Sequence, residues 1–420
     1  MLKILFAMLL CGALQTVTAQ MLPSIVLMGE DTTYTHSRVM LLLNGSGMAG
    51  TNTTDISFLK KNIFGGHISD IMLNYLAEES LMLNRAGAVA TGSMEVYNFS
   101  DTLLGRPNWG LKAAISSNYH ASLSYSGNLF NTVYRGNKQF AGDTTQLAPL
   151  IAQYQAWQKF SVGVFNKKTL SAISLALIAG EKYHSLSVSE AQLYTTPQGD
   201  SITLAYTGNY LRSDTLKSGW ANGSALGLAI DADYNLPIAG NEGYIRLAMR
   251  DMGFAVWNNQ SEEYDFDSLT TWTGVGYNDL FALETDTLSL PHLEDSIHAV
   301  LRKKSFASAL PMSFHVSFCK RINHKHYYEL GVSIWPTRAA IPLVRGTFNH
   351  FAGRHFVFSE GVSFGGYGTW GIYASAQWMP RGQWLIAASS HHIGGFTMGS
   401  ARSMDVSFTI GRMFGKGNAR

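Results

Sequence analysis

The chain predicts an all-β fold, a transmembrane antiparallel β-barrel of about 14 strands with one or two short helices. Three observations carry that expectation. In the segment from Trp370 to Trp378 every even position is apolar, both ends are Trp, and Gly371, Tyr373, Ser375 and Gln377 form the other face. At about 3.3 Å of rise per residue the two indoles lie roughly 26 Å apart, near the roughly 25 Å height of a barrel's apolar band between its aromatic girdles. The whole chain is 46% hydrophobic, 12% aromatic and 14% charged, whereas soluble domains carry about 25% charged residues. Finally, no stretch reaches the roughly 18 apolar residues of a membrane helix; the nearest, Ile173 to Ala179, is far shorter.

The N-terminus reads as a secretory signal. Lys3 is a minimal positive start, Ile4 to Leu14 an apolar stretch, and Val17-Thr18-Ala19 a small-residue cleavage site before Gln20. Cys11 follows Leu10, where a lipoprotein site wants a small residue. Residues 1–19 are therefore expected to be removed, leaving 20–420 as one barrel domain in the outer membrane of a Gram-negative cell. Loss of Cys11 would leave Cys319 alone, with no internal disulfide. A net charge of +2 gives no case for nucleic-acid binding.

Alternating segments recur through the rest. Leu226, Leu228, Ile230, Ala232 and Tyr234 share one face, opposite Gly227, Ala229, Asp231 and Asp233. Ile245, Leu247 and Met249 oppose Tyr244, Arg246, Ala248 and Arg250. Phe314-Val316-Phe318, Tyr328-Leu330-Val332-Ile334 and Val406-Phe408-Ile410 repeat the pattern, the last interrupted by Arg412 before Phe414. Further strands are expected to begin near Leu81, Trp109, Phe160, Leu170, His184, Ile202, Ile341, His355 and Trp384. Each window is a weak signal; the repetition with Gly, Asn and Asp between windows carries the prediction. Glu360 falls on the apolar face of Phe356 to Phe364, where a bulge at Gly361 would re-aim it.

Two segments read as helices. Ile68, Ile71, Met72, Tyr75 and Leu76 follow helical spacing, as do Leu293, Ile297, Val300 and Leu301 within Leu293 to Lys304. They could plug the lumen, cap one mouth or simply decorate loops. The polar stretch Gln260 to Thr273 reads as a long loop.

Several local motifs resemble an uncharacterised family of Bacteroidota outer-membrane barrels, a domain of unknown function. They are Tyr134-Arg135-Gly136-Asn137-Lys138-Gln139-Phe140-Ala141-Gly142, Gly227-Leu228-Ala229-Ile230-Asp231, and Arg250-Asp251-Met252-Gly253-Phe254-Ala255-Val256-Trp257. The last looks like that family's D-L-G-F-x-x-W signature, with Met252 for Leu. Asp251, Gly253, Phe254 and Trp257 thus become signature residues. The resemblance, over roughly Leu42 to Phe414, implies a barrel similar to the fatty-acid-transporter (FadL-type) class, which includes barrels associated with type IX secretion. It implies no known chemistry.

Other motifs fare poorly as chemistry. Gly45-Ser46-Gly47-Met48-Ala49-Gly50 matches a dinucleotide fingerprint but lacks a βαβ setting and reads as a flexible turn. Gly361-Val362-Ser363-Phe364-Gly365 matches a nucleophile elbow, yet Ser363 sits inside a candidate spanning strand. Asp231 to Glu242 imitates a calcium loop, but Leu236 occupies the position that needs Gly. Asp231 and Asp233 on one strand and Arg246 and Arg250 on the next should all face the lumen, either pairing the strands or selecting solutes. His324, His326, His391 and His392 read as exposed loop residues without metal-ligand spacing.

No enzyme, cofactor or metal is expected. The leading expectation is a barrel that contacts outer-membrane lipid and binds or passes a small, hydrophobic solute. The alternative is a non-transporting barrel that serves subunits of a secretion or surface-assembly system.

Overall fold

The computed structural model describes residues 37–416 apart from 100, 101, 104, 218, 220, 221, 239–241, 274–298, 338, 354 and 380–383. The expected signal peptide lies outside the described residues. β1 (Ser37–Thr51), β2 (Leu83–Asn98), β3 (Trp109–Ser126), β4 (Thr144–Gln146), β5 (Leu150–Asn166) and β6 (Ala172–Thr195) come first. β7 (Ser201–Arg212), β8 (Ala225–Pro237), β9 (Gly243–Trp257), β10 (Glu262–Thr273), β11 (Ala299–Lys303) and β12 (Phe306–Ala309) follow. The chain then runs up and down through β13 (Ser313–Arg321), β14 (His326–Ile334), β15 (Ile341–Ala352) and β16 (Phe356–Gly366). β17 (Trp370–Trp378), β18 (Trp384–Ser390) and β19 (Ser403–Lys416) complete it.

The pairings lead from β1 through β2, β3, β5, β6, β8, β9 and β13 to β19, and β19 pairs back onto β1. This is a closed antiparallel barrel of 14 strands. Closure is what alternation without an apolar helix requires, because lipid offers no partner to a free strand edge. Phe408, Ile410, Leu175, Leu177, Leu228, Ile372 and Trp370 are exposed on the outside, while their strand neighbours are turned inward. At one end Arg412 stacks over Trp384 and Phe414, with its guanidinium 4.9 and 5.0 Å from the two ring centres. β17 coincides with the Trp-bounded segment, and Gln377 is buried on its inner face. Glu360 stays outward: its register with Phe348 and Ala374 is unbroken at Gly361.

The two ends differ. Connections of three to five residues join β5 to β6, β8 to β9, β13 to β14 and β15 to β16 at one end. The other end carries the helices and β4, β7, β10, β11 and β12, which lie beyond the wall. Three helices begin on side-chain caps: Asp55 for α1 (Ile56–Phe64), Ser69 for α2 (Asp70–Glu78) and Ser126 for α3 (Gly127–Arg135). Their Phe58, Leu76 and Phe130 pack with Leu123, Tyr125 and Leu150 at the long-loop ends of β3 and β5. The expected helix near Ile68 to Leu76 is α2, although Ile71 and Tyr75 on its predicted stripe are exposed.

Three expectations are corrected. The stretch from Gln260 to Thr273 is not a loop: Glu262 to Thr273 is β10, paired along its length with β7. Polar residues on both faces suit a strand that stands in water beyond the lipid, where its neighbour's edge satisfies the backbone. In the second predicted helix, the described residues Ala299 to Lys303 form β11 against Glu262 to Phe266. Leu293 and Ile297 lie outside the described residues. Gly45 to Gly50 is no turn but lies in the C-terminal half of β1, paired on both sides with β2 and β19. Two full ladders hold it extended, whatever the intrinsic freedom of its glycines.

Replacing Leu177, 62% exposed on the outer face of β6, by Arg should destabilise the barrel in lipid vesicles by about 2–4 kcal/mol. The same change at Leu216, 87% exposed in the β7–β8 connection, should stay within about 0.5 kcal/mol. Urea unfolding of both variants checks this; equal effects would contradict a lipid-facing β6.

Candidate functional site

The inner face of the barrel holds a belt of ion pairs. Arg246 makes a two-point contact with Asp233, with Nε donating to Oδ1 at 3.0 Å and Nη2 to Oδ2. Arg250 Nη2 donates to the same Oδ2 at 3.0 Å. Asp231 instead accepts from Lys159 Nζ, at 2.9 and 3.1 Å, and Lys159 also reaches Asp251 Oδ1 at 2.7 Å. The four predicted lumen residues therefore do converge, but as parts of two clusters, the second centred on Lys159.

A bulge produces this arrangement. Ile230 stands opposite Met252 and Ala232 opposite Met249, so Arg250 and Asp251 together face Asp231. Asp251 takes a φ of 55° and its N–H donates to Asp231 Oδ1 at 2.9 Å. Asp tolerates this left-handed conformation better than most residues. The extra residue shifts the phase of β9. Ile245 and Leu247 face lipid before it, Met252, Phe254 and Val256 after it, and two consecutive charged residues turn into the lumen.

The signature residues divide by role. Asp251 forms the bulge. A Cβ at Gly253 would lie 2.6 Å from Ala229 Cα, so the residue keeps β8 and β9 close. Phe254 is exposed to lipid. Trp257 is fully buried, donates Nε1–H to Ser308 Oγ at 2.8 Å, and packs with Tyr183 and Phe306.

Further pairs continue the belt. Lys112 meets Glu95 at 2.6 Å, and Arg345 Nη2 donates to Glu329 Oε1 at 2.6 Å. Arg345 Nη1 lies 3.1 Å from His391 Nε2, whose Nδ1 is 2.8 Å from Asp405 Oδ2. His391 and His392 are thus not exposed loop residues, contrary to expectation. Asp405 on β19 accepts both of their backbone N–H groups and draws the segment after β18 inward. Ser363 is buried in β16 and donates to the His391 carbonyl at 2.7 Å, so it forms no elbow. His326 opens β14 with Nδ1 3.1 Å from that of His350. Among the described residues no group of three His, Cys, Asp or Glu side chains could hold a metal.

Below the belt the lumen is apolar. At the short-turn end Met40, Leu42, Phe165, Tyr244, Cys319, Tyr327, Val357, Leu385 and Met413 join Leu170, Phe351 and Met379 in one buried cluster. These residues come from strands all around the barrel and form a floor. Toward the long-loop end lies a cavity of about 160 Å³. Met48, Trp157, Pro311, Phe314, Trp335 and Leu343 give it an apolar lining, and His120, Arg250, Asp251, His315, His391 and Asp405 a polar one.

The belt's carboxylates Glu95, Asp405 and Asp251 and the bases Lys112, Lys159 and Arg345 were not among the predicted lumen residues. Period-2 phase could have found most of them. Lys159 precedes the outward Phe160, and Glu329 lies opposite the outward Leu330. Asp251 could not be found that way, because the bulge breaks the phase on which such a prediction rests.

The model described as Family of unknown function (DUF5723) matches residues 40–387. No curated protein matches the chain. Among solved structures, the Pseudomonas putida (P. putida) toluene transporter TodX is similar at 8% identity and a TM-score of 0.41, covering 92% of each chain. The Ralstonia pickettii toluene transporter TbuX follows at 9% and 0.34, covering 90% of each. The translocator domain of autotransporter NalP from Neisseria meningitidis stands at 7% and 0.31, covering 90% of this chain and 89% of that one. Scores of this size do not establish shared architecture; the barrel rests on the pairing of its own strands.

Lys159→Met would strand Asp231 and Asp251 together without their cation, at a cost of about 3–5 kcal/mol. Adding Asp251→Asn should recover part of it. Denaturant unfolding checks both variants, and a loss below about 1 kcal/mol for the single change would contradict a desolvated cluster.

Proposed function

We propose, for a chain that belongs to the family of unknown function DUF5723, a role as an outer-membrane barrel that takes a small, partly apolar solute into a chamber within its lumen. The observation that carries this reading is the cavity of about 160 Å³ lined by barrel strands and the connections at their ends, with the apolar floor nearer the short-turn end. Barrels of this kind keep short turns on the periplasmic side and long loops outside. On that orientation the floor closes the periplasmic end and the chamber sits nearer the surface. A solute enters from the long-loop side and is held beside the ion-pair belt. Passage into the periplasm requires the floor to part, since a dry apolar constriction blocks water and ions. No reaction belongs to this reading.

A second reading, a barrel that serves a secretion or surface-assembly partner, has one observation in its favour. The sheet beyond the wall leaves Leu269 and Trp272 of β10 exposed, with no lipid to cover them. Co-purification with a large membrane partner from native membranes, lost on Trp272→Ala, would support it.

Reconstituted in planar bilayers or liposomes, the wild-type barrel should be nearly silent. Leu385→Ala combined with Met413→Ala, both in the floor, should raise conductance and small-solute uptake several-fold. Large conductance in the wild type, or none in the floor variant, would contradict a gated floor.

A further inference from the structure

Four residues that line the cavity each carry a buried ring or guanidinium nitrogen with no hydrogen-bond partner. They are His120 Nδ1, Trp157 Nε1, Arg250 Nε and His315 Nε2. Their other groups are engaged. His120 Nε2 lies 2.7 Å from Tyr367 OH, His315 Nδ1 is 3.0 Å from Ser333 Oγ, and Arg250 Nη2 holds Asp233. A buried donor left unmade costs about 1–3 kcal/mol, so an acceptor brought into the cavity and met by a small turn of these side chains recovers part of that cost. Trp157 and Arg250 can only donate; the two imidazoles can donate from these atoms.

The charge around the cavity narrows the acceptor. Every lumen cation described above already faces a carboxylate: Lys112 with Glu95, Lys159 with Asp231 and Asp251, Arg246 and Arg250 with Asp233, Arg345 with Glu329. An incoming anion would meet a balanced belt and still lose its hydration. A neutral oxygen acceptor avoids that cost. The size is set by the volume of about 160 Å³, close to the engineered cavity of about 150 Å³ that accepts benzene. The apolar lining, with indole rings of Trp157 and Trp335, suits one flat ring.

We infer that the chamber binds a neutral, ring-sized molecule carrying a carbonyl or similar oxygen acceptor, with Trp157 Nε1–H among the donors that select it. This rests on the solute-chamber reading above and names the class of solute.

The test uses the full barrel in lipid nanodiscs, with empty nanodiscs as the blank, titrated with acetophenone, with the near-isosteric hydrocarbon α-methylstyrene and with benzoate. Indole fluorescence and calorimetry report binding. Acetophenone should bind at least about tenfold more tightly than either competitor, as one satisfied buried hydrogen bond allows. Trp157→Phe keeps the ring and removes the donor; it should weaken acetophenone about tenfold and leave α-methylstyrene unchanged. Equal binding of ketone and hydrocarbon, or tighter benzoate, would overturn the donor assignment while leaving the chamber intact. Binding of none above the empty nanodiscs, as from a cavity that holds only water, would overturn both.

Discussion

Closure of the sheet is the constraint from which the rest follows. A strand in lipid has nowhere to place its backbone N–H and C=O groups except on another strand, so the wall must return to its beginning. The seam between β1 and β19 does this over a register from Ser37↔Lys416 to Gly50↔Ser403. Once closed, the barrel has one face for lipid and one for itself. All that distinguishes this chain from a plain membrane anchor is turned inward or carried beyond the long-loop end.

The inner face is layered. An apolar floor drawn from the whole circumference lies at the short-turn end, a belt of paired charges above it, and the cavity beside the belt. Burying ionised groups is costly unless each has a partner, and each cation of the belt described above has one. The bulge at Arg250 and Asp251 makes that balance possible, because it places two neighbouring charges on one face. A regular strand would have sent one of them into lipid.

Much of this was legible in the sequence, and the limits have physical causes. Two-residue alternation located β8, β13, β14 and β17, and the inward phase of Asp231, Asp233 and Arg246. It merged poorly with irregularity. The separate starts near Leu170 and His184 are one strand, β6, which steps over Glu181 as it leaves the wall. β10 was hidden because a strand in water need not be apolar on either face. His391 and His392 looked like loop residues because their burial depends on Asp405, a partner on another strand. The unpartnered donors of the cavity depend on long-range geometry and have no local sequence signal.

The central claim is that the lumen is sealed at its short-turn end in the resting barrel. Cys319 tests it directly: it sits fully buried in the floor, and the only other cysteine is Cys11. In the Cys11→Ser chain, reconstituted in lipid, a water-soluble maleimide should fail to label Cys319 until the barrel is unfolded. Rapid labelling of the folded protein would contradict the sealed floor.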